Sequence, residues 1–523
     1  MKKISKTITI ISIIFSIFLL SGYSISKNGV IDSLFTKQNF LLSVFFFFLF
    51  TILFYFLILF FYRLLDKIKQ KEINSKIYDL IFLQKPFIIP FLIFFLFGLP
   101  ILIFYYPGTV QWDGMKQLDY FYNIIPWSNH HPVFPTILMG LSMKIGRIIN
   151  DNFGIFIYTF SQYIISCAVF AYTISFLTKI KTAKIITIAT FLFFLLNPLL
   201  YINAYTLVKD TLFYLIFILY FIYIIKYYYD SSKKNKIMLL IFSLLLVLLR
   251  NNGIYITLFT NFIFILFNKN NKKSYIYFCL FLCFFQIFYS TTITLCHVRQ
   301  GNIREMLSIP IQQTARYVSH YEVTLEEKET IEKIFHMDLK QIKDKYEPEL
   351  SDPIKFHFSV QNKEELLEYF KIWYKQFKKH PKIYVDSFLE NYYGYFYPLK
   401  REYKDGLAQF KIVKNKRVNT GYFDIYQLEK YSSIRLKIEN TINDIRNIPV
   451  IEMIFNTGFY TWLLLLFIGY SIYKGNKKNI LFAAPFIITL VFSFLSPVNA
   501  YVRYMNPIIY SLPIYIAITL KLE

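Results

Sequence analysis

The sequence predicts an all-α polytopic membrane protein of about twelve transmembrane helices with an extracytoplasmic, mainly helical domain. Three observations predict it. Of 523 residues, 55% are hydrophobic and 20% aromatic, and the mean hydropathy is +0.42, a balance that soluble globular chains do not reach. Several unbroken apolar runs are long enough to cross a bilayer as helices. Lysine and arginine outnumber the acids 57 to 33, and much of the lysine falls in short loops between those runs, where it sets topology and faces anionic lipid rather than nucleic acid.

Taken in order, Met1-Lys2-Lys3-Ile4-Ser5-Lys6 precedes an apolar run to about Ile25. Charge, apolar run and then Ser21-Gly22 also fit a signal peptide, but the run nearly spans a bilayer and is counted as a helix. A phenylalanine-rich span covers 39–62. The loop holding Arg63, Lys67, Lys69, Lys71, Lys76 and Lys85 is the strongest cytoplasmic marker and closes a first unit, 1–85.

Residues 86–298 form the expected transmembrane core, with a first outer loop at 107–152. Span 86–106 runs outward and leaves Asp113 outside. Residues 133–149 carry Lys144 and Arg147 and only reach the lower limit for spanning. Span 153–177 ends in Lys179, Lys181 and Lys184, which belong inside, so 133–149 is expected to lie on the outer interface as an amphipathic helix. Spans at 185–203 and 211–229 are joined outside by Lys209-Asp210. The run 237–267 is interrupted by Arg250-Asn251-Asn252-Gly253 and reads as two short helices with an outer tip. Residues 274–298 go out again.

Composition then shifts. Of the 33 acidic residues, 23 lie between Glu305 and Glu452, and 299–456 reads as a helical soluble domain of ordinary size. The C-terminal unit, 457–523, holds spans at about 457–473, 480–496 and 506–520, which puts both termini in the cytoplasm. No internal repeat is visible, which disfavours a transporter built from inverted halves. Cys167, Cys279, Cys283 and Cys296 fall in or beside apolar runs without CxxC spacing and read as packing residues.

The outer links collect Asp113, Asp119, His130, His131, Lys209, Asp210, Arg250, Asn251, Asn252 and Arg503 on one membrane face. A carboxylate that accepts a proton, beside imidazoles and cations that hold a phosphate, is what transfer of a group from a lipid-phosphate donor needs. Each residue also has a structural reading. Asp113 is suited to capping a helix that starts at Gly114; His130-His131-Pro132 fits an interfacial turn; Lys209-Asp210 fits a local ion pair; Arg503 is placed to snorkel. Arg250 is the hardest to explain structurally, because it interrupts an apolar run. Two adjacent histidines do not readily share one metal. No cofactor is called for, and a divalent metal is left open.

Tyr106-Pro107-Gly108-Thr109, Trp112-Asp113, Asn129-His130-His131-Pro132, Lys209-Asp210-Thr211, Arg250-Asn251-Asn252-Gly253 and the run from Ile309 to Arg316 resemble a bacterial polytopic family of unknown function. The resemblance extends over about 86–520 and associates the chain with the GT-C superfamily of membrane glycosyltransferases. It implies transfer of a sugar from a polyprenyl-phosphate donor to a surface glycan, lipid or protein acceptor at the outer face of the cell membrane. Asp113 would be the base, His130 or His131 would orient acceptor or phosphate, and Lys209, Arg250 and Arg503 would hold the donor phosphate. Asp119, Asp210, Asn251 and Asn252 would support them. Many relatives of this kind carry two adjacent acids where this chain has Asp113-Gly114. Transport or flipping of a lipid-linked oligosaccharide, and polymerisation or ligation of a surface glycan, are the alternative readings.

Overall fold

Helix breaks in the chain fall where sequence chemistry forbids a helix. The computed structural model describes residues 2–70, 75–268, 270–399, 411–412 and 421–521; Lys71 of the basic loop lies outside them. Lys85 precedes Pro86, whose ring disfavours helical backbone in the residue before it, and the Lys76–Gln84 and Ile88–Phe104 helices meet there at 100°. Asn197-Pro198 does the same within the expected 185–203 span. Asn197 accepts the Leu199 amide through its side chain at 3.1 Å, proline takes the first helical position, and Lys184–Leu196 turns by 54° into Pro198–Ala204. The 237–267 run is two helices, Lys233–Leu249 and Gly253–Phe267. Only glycine fits their junction, since a Cβ on Gly253 would lie 2.1 Å from the Leu246 carbonyl oxygen.

Among the described residues the protein is all-α apart from one two-residue strand pair. Five described helices are long and apolar enough to cross a membrane, and seven if each bent pair counts as one. Val133–Gly146, Gly253–Phe267 and Thr457–Tyr473 are shorter apolar helices. Lys209–Tyr229 is the hub. Its apolar window is 72% buried, against 6% for Phe40–Ile68, because it is apolar all round and packs against Asp151–Lys179, Lys233–Leu249 and Val502–Thr519. The first helix, Lys2–Asn28, lies between Phe40–Gln70 and Thr457–Tyr473, with Phe15 stacked on Trp462 at 4.1 Å.

The acid-rich stretch has a core of its own, built on Ile311, Ala315, Ile331, Phe335, Phe358 and Tyr369. The Ile309–Arg316 motif sits on its central helix, Ser308–His320, and serves packing. Arg316 forms a buried ion pair with Glu390, Gln313 donates to the Tyr384 carbonyl at 3.1 Å, and Thr314 bonds the Tyr369 hydroxyl at 3.0 Å. This unit docks on the bundle through the turn before Val502–Thr519. The Ser351 amide donates to the Pro497 carbonyl at 2.8 Å, and Asn499 donates to Glu349 at 2.7 Å.

Candidate functional site

Two chain segments almost a hundred residues apart are aligned by two residues each. Thr109–Val110 runs parallel to Thr206–Leu207, in register Thr109 to Thr206 and Val110 to Leu207, and the two threonine hydroxyls bond at 2.7 Å. The pair is held from the side by the Asp151–Lys179 helix. Thr159 donates to the Pro107 carbonyl at 2.8 Å, and the Gln162 amide donates to the carbonyls of Asn203, Ala204 and Thr206. Each strand runs directly into a helix, Trp112–Phe121 after the first and Lys209–Tyr229 after the second. The register therefore delivers Asp113 to Lys209.

Asp113 does not cap its helix. Gln111 holds the cap position and Asp113 falls in the first turn, free to reach across to other elements. Its Oδ2 accepts from Lys209 Nζ at 3.1 Å and from Arg503 Nη1 at 2.7 Å. Lys209 Nζ also lies 3.1 Å from His131 Nδ1. Nor are Lys209 and Asp210 a local pair. Asp210 Oδ1 faces Arg250 Nη1 at 3.1 Å, and its Oδ2 lies 3.8 Å from Arg503 Nη1. The Arg250 guanidinium lies 5.3 Å and 4.9 Å from the Phe213 and Tyr504 ring centres, and that of Arg503 lies 4.7 Å and 5.3 Å from those of Tyr501 and Tyr504, contacts that favour both cations where they stand. Three cations face two carboxylates, so the cluster carries net positive charge.

Exposure orders the cluster. The side chains of Asp113 and Arg503 remain 22% and 24% exposed, whereas Asp210 is at 4%. Asp113 and Arg503 therefore form the front, and Asp210 braces the arginines from behind.

Burial alone would raise the Asp113 carboxyl, but Arg503 and Lys209 hold it well below the usual carboxylate range. Burial and the Lys209 ammonium push His131 well below its ordinary value of 6.5. His131 is therefore a neutral imidazole whose Nδ1 accepts from Lys209. A carboxylate so tightly held is a weak base until its cations find another anion.

The remaining expected residues are placed differently. Asn251 donates to the Asn129 carbonyl at 2.9 Å and ties the Arg250 tip to the histidine loop. Asn252 stands at the start of Gly253–Phe267. Asp119 is fully buried on the Asp113 helix, where its carbonyl accepts the Ile124 amide at 2.9 Å. His130 leads away from it: its Nδ1 lies 4.0 Å from Glu305 Oε1, and Glu305 Oε2 accepts from Lys355 at 2.8 Å. Burial would raise the Glu305 carboxyl, but Lys355 outweighs it and holds the group low. The sequence reading did not single out Glu305, Lys355, Tyr501 or Tyr504 as site residues. No periodic signal marks them, because their partners lie far away in the chain.

Among the described residues no group of three or more His, Cys, Asp or Glu side chains is placed to hold a metal ion. Beside the loop that leads to Asp113, a cavity of about 410 Å³ with an almost wholly apolar lining includes Leu99, Leu102, Ile103, Tyr106, Phe156 and Tyr431.

A bundle of membrane-length apolar helices with a charged cluster at one end defines a helical membrane-protein class. The chain belongs to the family of unknown function DUF6020, which matches residues 126–522. The match starts later than the expected 86, so it covers His130, His131, Lys209, Asp210, Arg250 and Arg503 while Asp113 and Asp119 lie ahead of it. No curated protein and no solved structure shows significant similarity to the chain.

Proposed function

We propose that the protein is a membrane glycosyltransferase that moves a sugar from a polyprenyl-phosphate donor to a cell-surface glycan, lipid or protein acceptor. The observation that carries this reading is the contact of Asp113 with Lys209 and Arg503, backed by Arg250, in a cluster with a surplus of positive charge. Guanidinium and ammonium groups that now hold carboxylates are equally matched to phosphate oxygens. The neighbouring apolar cavity supports a lipid-linked donor over a water-soluble one.

In this mechanism the donor phosphate takes Arg503 and Lys209 from Asp113. The carboxylate, relieved of its partners, regains basicity and accepts the proton of the acceptor hydroxyl. The acceptor oxygen bonds to the anomeric carbon with inversion, the bond from that carbon to the phosphate oxygen breaks, and its electron pair leaves on the phosphate. Lys209, Arg250 and Arg503 stabilise that charge. His131 keeps the Lys209 ammonium aimed at the site.

The proposed topology has twelve crossings, with both termini cytoplasmic and the cluster outside. Lys179, Lys233, Lys234 and Lys236 lie at or beyond helix ends remote from the cluster, as cytoplasmic lysines should. The acid-rich domain, docked beside Arg503, would then be extracytoplasmic.

Lipid-extract and surface-glycan mass spectrometry of a deletion strain tests the reading. Loss of a glycan product with build-up of a polyprenyl-phosphate sugar is expected, and wild-type protein should restore the product. Asp113→Asn protein, inserted at normal abundance, should lower it by roughly 10²-fold or more, the range for a lost general base. An unchanged deletion strain refutes glycosyl transfer, and a fully active Asn variant removes Asp113 from the mechanism.

A further inference from the structure

A second cavity lies away from the Asp113 cluster, in the acid-rich domain. It measures about 600 Å³ and is lined by Lys345, Pro353, Phe356 and His357. Its charge is one-sided. Lys345 Nζ lies 2.9 Å from His357 Nε2, and no carboxylate stands within ion-pair distance of Lys345 among the described residues. A second cation, Arg304, stands at the rim, donating to the Phe356 carbonyl at 2.6 Å with its guanidinium 5.7 Å from the Phe356 ring centre and its Nε 3.6 Å from Glu305 Oε1. Burial, then the charges of Lys345 and Arg304 and the nearby His336, hold the His357 imidazole below its ordinary value, with no acid opposing them. Glu305 and Asp352 are both engaged by Lys355 at 2.8 Å, and Glu305 also faces Arg304 at 3.6 Å.

An ammonium set against an imidazole with no counter-anion is an arrangement that an incoming anion completes. The same cavity exposes a large aromatic face, with Phe356 at 57% exposure. A flat apolar face beside an ammonium donor suits a ligand that joins an anionic group to a ring with a C–H face. The wall is also continuous with the proposed reaction centre. Lys355, next to Phe356, binds Glu305, and Glu305 faces His130, whose ring centre lies 4.5 Å from that of His131.

We propose that this cavity binds an acidic saccharide through its phosphate or carboxylate group, with Lys345 and His357 holding the anion and Phe356 the sugar ring. The saccharide class rests on the glycosyl-transfer reading, in which the cavity anchors the acceptor; the anion site rests on Lys345 and His357 in the cavity wall.

Equilibrium dialysis of the full chain in detergent tests it with radiolabelled glucose 6-phosphate, glucuronate, glucose and inorganic phosphate. At least one acidic sugar should bind tenfold or more tighter than both glucose and inorganic phosphate. Whichever is preferred identifies the anion. Lys345→Ala and His357→Ala should each weaken that binding at least tenfold, Lys345→Arg should retain it, and Phe356→Ala should erase the advantage over inorganic phosphate. Lys345 is exposed, so its variants preserve the fold, which melting curves check. Equal binding by wild type and Lys345→Ala overturns the site, and equal binding of sugar phosphate and inorganic phosphate overturns the saccharide. Asp113→Asn protein should bind as wild type does. Loss of binding with an intact Asp113 requirement sinks the cavity alone, whereas intact binding with no Asp113 requirement sinks the glycosyl-transfer reading alone.

Discussion

Gly114 packs directly against Leu207: a Cβ at position 114 would stand 2.2 Å from the Leu207 carbonyl oxygen. This contact follows from the strand pair, which brings the turn before Lys209 against the first turn of the Asp113 helix. It explains why a second acid does not follow Asp113. The place has no room for a side chain, and a second carboxylate reaches the cluster from Asp210 instead.

Gly114→Ala should therefore destabilise the protein by about 1–3 kcal/mol, the usual cost of forcing atoms into a packed site, and Gly114→Asp by more. Thermal melting of the detergent-solubilised variants checks this. A melting temperature equal to wild type for either would mean that the 113–114 turn can move off Leu207.

Acid should weaken the fold through His131. Its folded value lies below 6.5, so the unfolded chain takes up a proton at a pH where the folded protein does not. Stability is then level above about pH 6.5 and falls as pH drops below it, by up to about 1.4 kcal/mol per pH unit for one proton. The Asp113 carboxyl, shifted down, contributes stability that is lost only further into acid, below the usual carboxylate value of 3.8. Denaturant titrations from pH 7.5 to 5 should show the decline, and His131→Asn should flatten it. An unchanged slope in that variant would assign the decline to another group.

If the cluster faces outward, a cysteine replacing Gln111, in a chain whose Cys167, Cys279, Cys283 and Cys296 are serine, should react with an impermeant maleimide on intact cells. Labelling only after permeabilisation would reverse the topology, and with it the proposed side of the reaction.

The sequence made some of this legible and hid the rest for identifiable reasons. Charge breaking an apolar run is a local signal, and it located the Arg250 turn between two helices. Pro198 is an equally local signal, and the 185–203 run bends by 54° there. Residue type near helix ends pointed to Asp113, Lys209, Arg250 and Arg503, because charges are costly at such places unless used. Their pairing was not legible. Lys209 and Asp210 looked like partners because they are neighbours, yet adjacent residues at a helix start point in different directions, and each found its partner on another element. Glu305, Lys355 and His357 were hidden for the same reason in a stretch where charge is common.

The short strand pair has a mechanical consequence. Because it couples the two segments that carry Asp113 and Lys209, and Gln162 fastens the second of them to a long buried helix, that side of the cluster is a fixed jaw. Arg250 and Arg503 arrive on separate turns, one tied by Asn251 to the histidine loop and the other next to the segment on which the acid-rich domain docks. Any widening of the cluster to admit a ligand must come from that opposite jaw, so a ligand's arrival there would be felt first in the acid-rich domain and last in the buried helical hub.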